Sequence, residues 1–314
     1  ERRVAWPDIL IACLQAVQED AEWGTWYRTT QSLAQTHKAK EIMRAIAQAT
    51  WACGDPGLFY YNTVNRWHTT PSRGAIRSGN PCQEFVRPPN SACNLASLNL
   101  LRFRRSDGSF DTAAYRHAVR VMFTAQEILV SRASYPTEAI AKNSEDFRPL
   151  GLGYANLGAL LMASGLSYDS GRGRAYAAAV TALMTGEAYA QSARLAAVNG
   201  PFNGYAVNRE PMLAVMEQHA SHVGKIGPAL TTPESQVVAA AAEAWHEALT
   251  LGTEYGYRNA QATLLAPTGT IAFMMDCDTT GVEPGVALVS YKKLVGGGTL
   301  KQVNGVVECA MRSL

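Results

Sequence analysis

The sequence has no run of about 18 or more apolar residues, so no stretch reads as a membrane-spanning helix. It has almost no net charge: 28 basic against 26 acidic side chains leave +2. That balance provides no broad basic face for nucleic acid or for an anionic membrane. A small anion pocket stays open, because a few backbone N–H groups suffice to hold a phosphate. The 6 cysteines stand at 13, 53, 82, 93, 277 and 309, with no C-x-x-C pair. A zinc pattern is therefore lacking, and the thiols are too sparse for a secreted disulfide scaffold. A cytoplasmic chain with a few functional thiols is the expected setting. No charged-then-apolar leader opens the sequence. It starts at Glu1 without a methionine, so it is expected to be a fragment or a processed product.

What is present is apolar bulk. Apolar residues make up 47% of 314, enough for one large domain or two ordinary ones. Apolar spacing predicts helices over Trp6–Val17, His37–Cys53, Asp111 to about Ser131, Arg174–Asn199 and Pro233–Leu251, with a further one through Leu157, Leu160 and Leu161. The second should stop at Gly54-Asp55-Pro56-Gly57. Pro233 and Glu234 suit a first turn. Strand-like runs are short: Asn94–Leu100, Ala262–Leu265 and Val286–Val289. Short strands between helices predict an α/β layout, with no repeat and no clear domain boundary. Residues 68–92 are rich in Pro, Gly, Ser, Thr, Asn and Arg, and a loop of that length inside a domain is usually functional or disordered.

Three stretches carry candidate chemistry. In Asn80-Pro81-Cys82-Gln83-Glu84 a thiol has an amide two residues before it and a carboxylate two residues after it. Pro81 fixes its own φ and biases Asn80 away from helix. A neighbouring carboxylate raises a thiol pKa, which is wrong for a thiolate nucleophile and compatible with hydrogen-atom transfer. On these residues alone an ordinary half-buried loop cysteine is the simpler reading. Cys93 opens the run Asn94–Leu100, where core packing is the simpler reading. Ala266-Pro267-Thr268-Gly269-Thr270-Ile271 follows a strand-like run and opens an apolar helical start, which suits an anion held on free N–H groups. The Walker spacing is absent, and a generic turn remains the alternative. Asp276 and Asp278 flank Cys277, but no histidine completes a metal site, so no metal is expected. His219 and His222 are expected to be solvated.

Taken together, Asn80–Glu84, Cys93–Leu100, Arg148–Met162, Ala266–Ile271 and Asp276–Pro284 resemble ribonucleotide reductase in order and spacing, over roughly residues 40–305. The Asn-Pro-Cys-x-Glu block is similar to the class I large subunit as well. The short gap from Cys82 to Cys93 and the block at 276–284 look more like the adenosylcobalamin-dependent class II, in its dimeric, diphosphate-reducing branch. The resemblance implies a ten-stranded α/β barrel, made of two halves and threaded by a finger loop, here about 68–92. On that reading residues 1–314 are a partial catalytic domain, the C-terminal part of the barrel. Cys82 would carry the thiyl radical and take the ribose 3′ hydrogen. Glu84 would act as general base on the 3′-hydroxyl, and Asn80 would bind substrate and orient Glu84. Cys93 would be half of the reducing dithiol. Pro267, Thr268, Gly269, Thr270 and Ile271 would hold the substrate phosphates, while Pro81 and Gln83 would mainly shape the loop and line the pocket. The implied partners are a ribonucleotide, adenosylcobalamin, a thioredoxin-type reductant and a second copy in a homodimer.

The resemblance also implies what lies elsewhere. The redox partner of Cys93 belongs to an early strand of the first half-barrel, upstream of Glu1; Cys13 and Cys53 sit in helical stretches with other surroundings. The missing half of the barrel, the specificity region and the C-terminal shuttle cysteines would have to come from the same or a separate chain. The chain alone is therefore expected not to turn over. Two alternatives stand beside this reading: a class I large-subunit relative fed by a metal-containing partner, and a non-catalytic nucleotide-binding or assembly module. The second has no need of Asn80, Cys82, Glu84 and Cys93 together.

Overall fold

The computed structural model describes residues 6–226, 230–231 and 234–313, with side chains described from residue 12 onward. The expected helix start at Pro233 lies outside the described residues. The chain divides into two compact units, one of Glu1–Trp67 with Ala75–Ser78 and one of His68–Gly74 with Gly79–Leu314.

The first unit holds helix α1 (Trp6–Gln18), hairpin strands β1 (Glu22–Trp26) and β2 (Leu33–Lys38), and helices α2 (Ala39–Cys53) and α3 (Tyr61–Arg66). Helix α2 ends where expected: Gly54 takes φ 82° and returns its N–H to the Thr50 carbonyl. This is the left-handed C-terminal cap that glycine makes at low strain. The hairpin was not expected. Its strands are largely exposed and lack the apolar alternation that marks a half-buried strand.

The second unit is the α/β body. Strand β3 (Asn94–Asn99) and strand β4 (Leu150–Ala155) pair in parallel, from Asn94 opposite Leu150 to Asn99 opposite Ala155. A third extended segment runs along the far side of β4. Leu150 donates to the Gln261 carbonyl at 2.8 Å, Leu152 to Ala262 at 3.0 Å, and Leu264 back to Leu152 at 3.0 Å. The strand expected over Ala262–Leu265 is thus an extended segment bridged to β4 at Thr263 rather than a full strand. Every residue of β4 is buried. Such a strand reads as a continuous apolar and glycine run without alternation, so the sequence did not announce it.

The helices of this unit are α4 (Thr112–Val130), which packs on both β3 and β4, α5 (Glu138–Phe147), α6 (Leu157–Ala163), α7 (Gly171–Asn199), α8 (Arg209–Val223), α9 (Ser235–Tyr255), the short α10 (Gly269–Met274) and α11 (Val307–Ser313). The Asp111 side chain accepts the Ala114 N–H at 2.9 Å, which starts α4 at the expected place. Gly186 of α7 lets α9 approach closely, since a Cβ there would stand 2.9 Å from the Trp245 ring. Strands β5 (Val289–Lys293) and β6 (Thr299–Val303) form an exposed antiparallel hairpin. The strand expected at Val286–Val289 is therefore displaced toward the C-terminus, because Val289 is the first residue to find a cross-strand partner and Val286 stands fully exposed. The described strands form three two-stranded sheets and do not close into a barrel. His219, expected to be solvated, stacks on Trp245 at 5.5 Å, and burial lowers its pKa to about 4.

An ionic knot fixes the start of β4. Buried Glu127 accepts from Arg148 Nε at 2.6 Å, Arg258 Nε at 2.8 Å and Asn259 Nδ2 at 2.6 Å. Arg148, the residue after α5, takes φ 47° and also reaches Glu145 at 2.9 Å. Asn259 closes the ring on the Arg148 carbonyl at 3.0 Å.

Candidate active site

The stretch 80–84 folds as a tight turn. Gly79 and Val86 form an antiparallel bridge. One rung inward, Asn80 N–H donates to the Phe85 carbonyl at 3.3 Å, and Phe85 N–H donates to Asn80 Oδ1 at 3.0 Å. Gln83 closes the tip: its N–H and its Nε2 both bond the Asn80 carbonyl, at 3.0 and 3.1 Å. Gln83 adopts φ 66°, left-handed backbone that a non-glycine residue holds only when its surroundings enforce it. Asn80 and Gln83 therefore shape the loop, and Pro81 and Cys82 are presented, exposed, at its tip.

Glu84 lies on the inner side of the turn. Its Oε2 is buried and has no hydrogen-bond partner. Leaving a buried acceptor unmade costs about 1–3 kcal/mol, more when it is charged. Burial first and the charge of nearby Glu84 second push the Cys93 thiol up to about 12. Cys93 is exposed as a residue, yet its sulfur lies close to the backbone of β4 at Gly151. A Cβ on Gly151 would stand 2.8 Å from that sulfur and would also strike Leu264. Glycine at 151 is thus what lets a thiol sit flat against the strand.

The three stretches converge. Phe85, Leu264 and Ala266 form one buried apolar cluster, which joins the thiol loop to the segment leading into Pro267. Leu264 also lies over Gly151, next to Cys93. Thr268 is buried with φ 24°, and its Oγ1 accepts the Gly281 N–H at 2.5 Å. Gly269 and Thr270 are exposed and open α10, where first-turn N–H groups lack helical partners; Ile271 follows, half-buried.

Sequence reasoning missed the residues that hold this turn. Asn156 is fully buried at φ 72°. Its Oδ1 accepts the Thr279 N–H at 3.0 Å, and its Nδ2 donates to Asn99 Oδ1 at 3.0 Å. The block 276–284 thereby packs behind Pro267–Ile271. Among the described residues no group of three or more His, Cys, Asp or Glu is arranged to hold a metal ion. The only advance signal for Asn156 was its place just before an apolar helix.

The arm of the Cys82 turn, the Cys93 thiol and the segment leading into Pro267 are thus joined through Phe85, Leu264 and Gly151. Residues 12–314 match the ribonucleotide reductase barrel domain, and the chain belongs to that family. It is similar to the vitamin B12-dependent ribonucleotide reductase of Rhodopirellula baltica, 50% identical over 306 residues, covering 96% of this chain and 29% of that protein. The enzyme of the same name from Streptomyces coelicolor is 48% identical over 305 residues, 96% of this chain and 31% of that protein. The vitamin B12-dependent ribonucleoside-diphosphate reductase of Mycobacterium tuberculosis is 29% identical over 285 residues, 91% and 35%. The chain thus spans about a third of the length of the curated relatives it matches.

Proposed function

We propose that this chain carries the reaction centre of an adenosylcobalamin-dependent ribonucleotide reductase acting on ribonucleoside diphosphates. The observation that supports it most is Glu84 Oε2, a buried carboxylate oxygen with no donor, set against the Cys93 thiol. A substrate hydroxyl is the donor that it lacks. Cys82, exposed at the turn tip, takes the ribose 3′ hydrogen as a thiyl radical and becomes a thiol. Glu84 accepts the 3′-hydroxyl proton. Cys93 stays protonated, as delivery of a proton to the departing 2′-hydroxyl requires, and supplies one of the two reducing sulfurs. Asn80 spends its side-chain oxygen on Phe85, which leaves its amide N–H groups for substrate. The N–H groups of Gly269, Thr270 and Ile271 hold the phosphates, with Pro267 and Thr268 fixing their direction.

The residues fit the cofactor at one point: Cys82 is open at the loop tip to a radical donor approaching from outside this chain. When bound, adenosylcobalamin supplies a radical by homolysis of its cobalt–carbon bond. We infer further that β3, β4 and the 261–264 segment are neighbouring strands of a ten-stranded barrel, that 68–92 is its finger loop, and that the remaining strands and the second reducing thiol lie outside this chain. Residues 1–314 are then part of one catalytic domain, working with a thioredoxin-type reductant and as a homodimer.

The test is deoxynucleotide formation by the full-length polypeptide with adenosylcobalamin and a dithiol. Cys82→Ser and Glu84→Gln should each lower product at least about a thousandfold. Turnover by Cys82→Ser would overturn the assignment. The chain by itself should form no product.

A further inference from the structure

The mechanism leaves Arg87 without a role. Yet Arg87 is buried at 7% exposure, and no carboxylate among the described residues pairs with it. Its Nη1 donates to Thr69 Oγ1 and its Nη2 to Thr70 Oγ1, both at 3.0 Å. Its Nε is buried with no partner at all. The neighbouring ring of His68 is itself buried and bonded to Gly74 and Thr70, so it brings no negative charge. A buried cation left without an anion opposes folding, and an apolar side chain of similar volume is often better tolerated. Stability does not explain this residue.

Its place does. Arg87 follows Val86, the outer rung of the turn that presents Cys82. Thr69, which it grips, donates to the Ala260 carbonyl at 2.7 Å. Ala260 leads directly into the segment whose Leu264 packs on Phe85. The outgoing arm of the turn is thus pinned at Phe85 by packing and at Arg87 by a two-pronged bond, in a fork geometry that lysine lacks.

We propose that Arg87 is a positioning residue for the reaction at Cys82: by holding the Thr69 and Thr70 hydroxyls it fixes the arm that carries Cys82 and Glu84. This rests on the reading of Cys82 as the radical residue. Misplacement of a reacting group by about an ångström lowers rates by about a hundredfold. In the full-length enzyme Arg87→Met should therefore lower kcat by about ten- to a hundredfold with KM within about twofold, because substrate contacts are untouched. Its melting temperature should be equal to or above that of the parent. Thr69→Ser with Thr70→Ser keeps both hydroxyls and should stay within about threefold of the parent rate. Thr69→Val with Thr70→Val should reproduce the Arg87→Met loss, and combining the two changes should add little, since linked residues are not additive.

Parent-level kcat in folded Arg87→Met overturns the proposal. If Arg87→Met fails to fold, the valine pair decides, and full activity there overturns it equally. Cys82→Ser separates the two layers. If it still turns over, the Cys82 reading fails and takes this one with it. If it is inactive while Arg87→Met is fully active, only the role of Arg87 falls.

Discussion

Two arginines of the second unit are buried to the same degree and live in opposite surroundings. Arg148, at 3% exposure, is enclosed by carboxylates, Glu127 at 2.6 Å and Glu145 at 2.9 Å. Arg87, at 7%, has two neutral hydroxyls and an orphaned Nε. The first is a charge neutralised in place, and it locks the end of α5 to the start of β4. The second is a charge that the fold tolerates. Removing a partner from a neutralised pair exposes the remaining charge, whereas removing an unneutralised charge relieves the interior. Burial alone therefore says little about what an arginine contributes; its counter-charge decides.

That contrast can be broken at graded strengths. Glu127→Ala should be the most damaging change, about 3–5 kcal/mol in denaturant unfolding, because Arg148 and Arg258 lose their shared buried carboxylate and Arg148 is left with Glu145 alone. A loss under about 1 kcal/mol would mean that the knot is not the neutralised partner described above. Gly153→Ala probes the strand that Arg148 leads into. A Cβ there would stand 2.5 Å from the Leu264 carbonyl oxygen, and overpacking of this kind costs about 1–3 kcal/mol.

Smaller again is the alkaline response of Cys93. Its folded pKa is raised from 9.0 to about 12, so the native state keeps a proton that the unfolded chain gives up. The native state's advantage is complete below about pH 9 and is lost as pH rises toward about 12. Cys93→Ser should flatten that decline in a stability-versus-pH series; an unchanged slope would refute it. Arg87→Met should come last, within about 1 kcal/mol of the parent or above it. A destabilisation like that of Glu127→Ala would erase the distinction between the two arginines.

The sequence offered candidate reactive residues more readily than the residues that support them. Cys82 and Glu84 were singled out because thiol, amide and carboxylate fall within five consecutive residues, though those residues alone favoured an ordinary loop cysteine and only the family resemblance raised them to a candidate pair. Helix α4 was visible because Asp111 is a strong cap before an apolar-periodic run. Strand β4 was not, since a segment buried on both faces loses the alternation that a reader looks for. Arg87 and Asn156 were invisible for another reason. Their partners lie 17 and 18, or 57 and 123, residues away along the chain, and no local pattern encodes those meetings. The displaced strand at Val289 shows the same limit: an apolar run at 286–289 fits a strand, but pairing with β6 sets where it begins.

The sandwich around Gly151 has a consequence for how the protein is made. Cys93 is emitted from the ribosome long before Leu264, the residue that closes over its strand neighbour. The interval is 171 residues, from 93 to 264. At about 5–20 residues per second this is on the order of ten seconds or more. During that time the thiol, which stays exposed even in the finished fold, lacks the packing around Gly151 as well, and it is more open to oxidants and to wrong disulfide partners. A nascent chain stalled before residue 264 should label at Cys93 faster than the finished protein does, so the reducing state of the cell matters to this site before any catalysis begins.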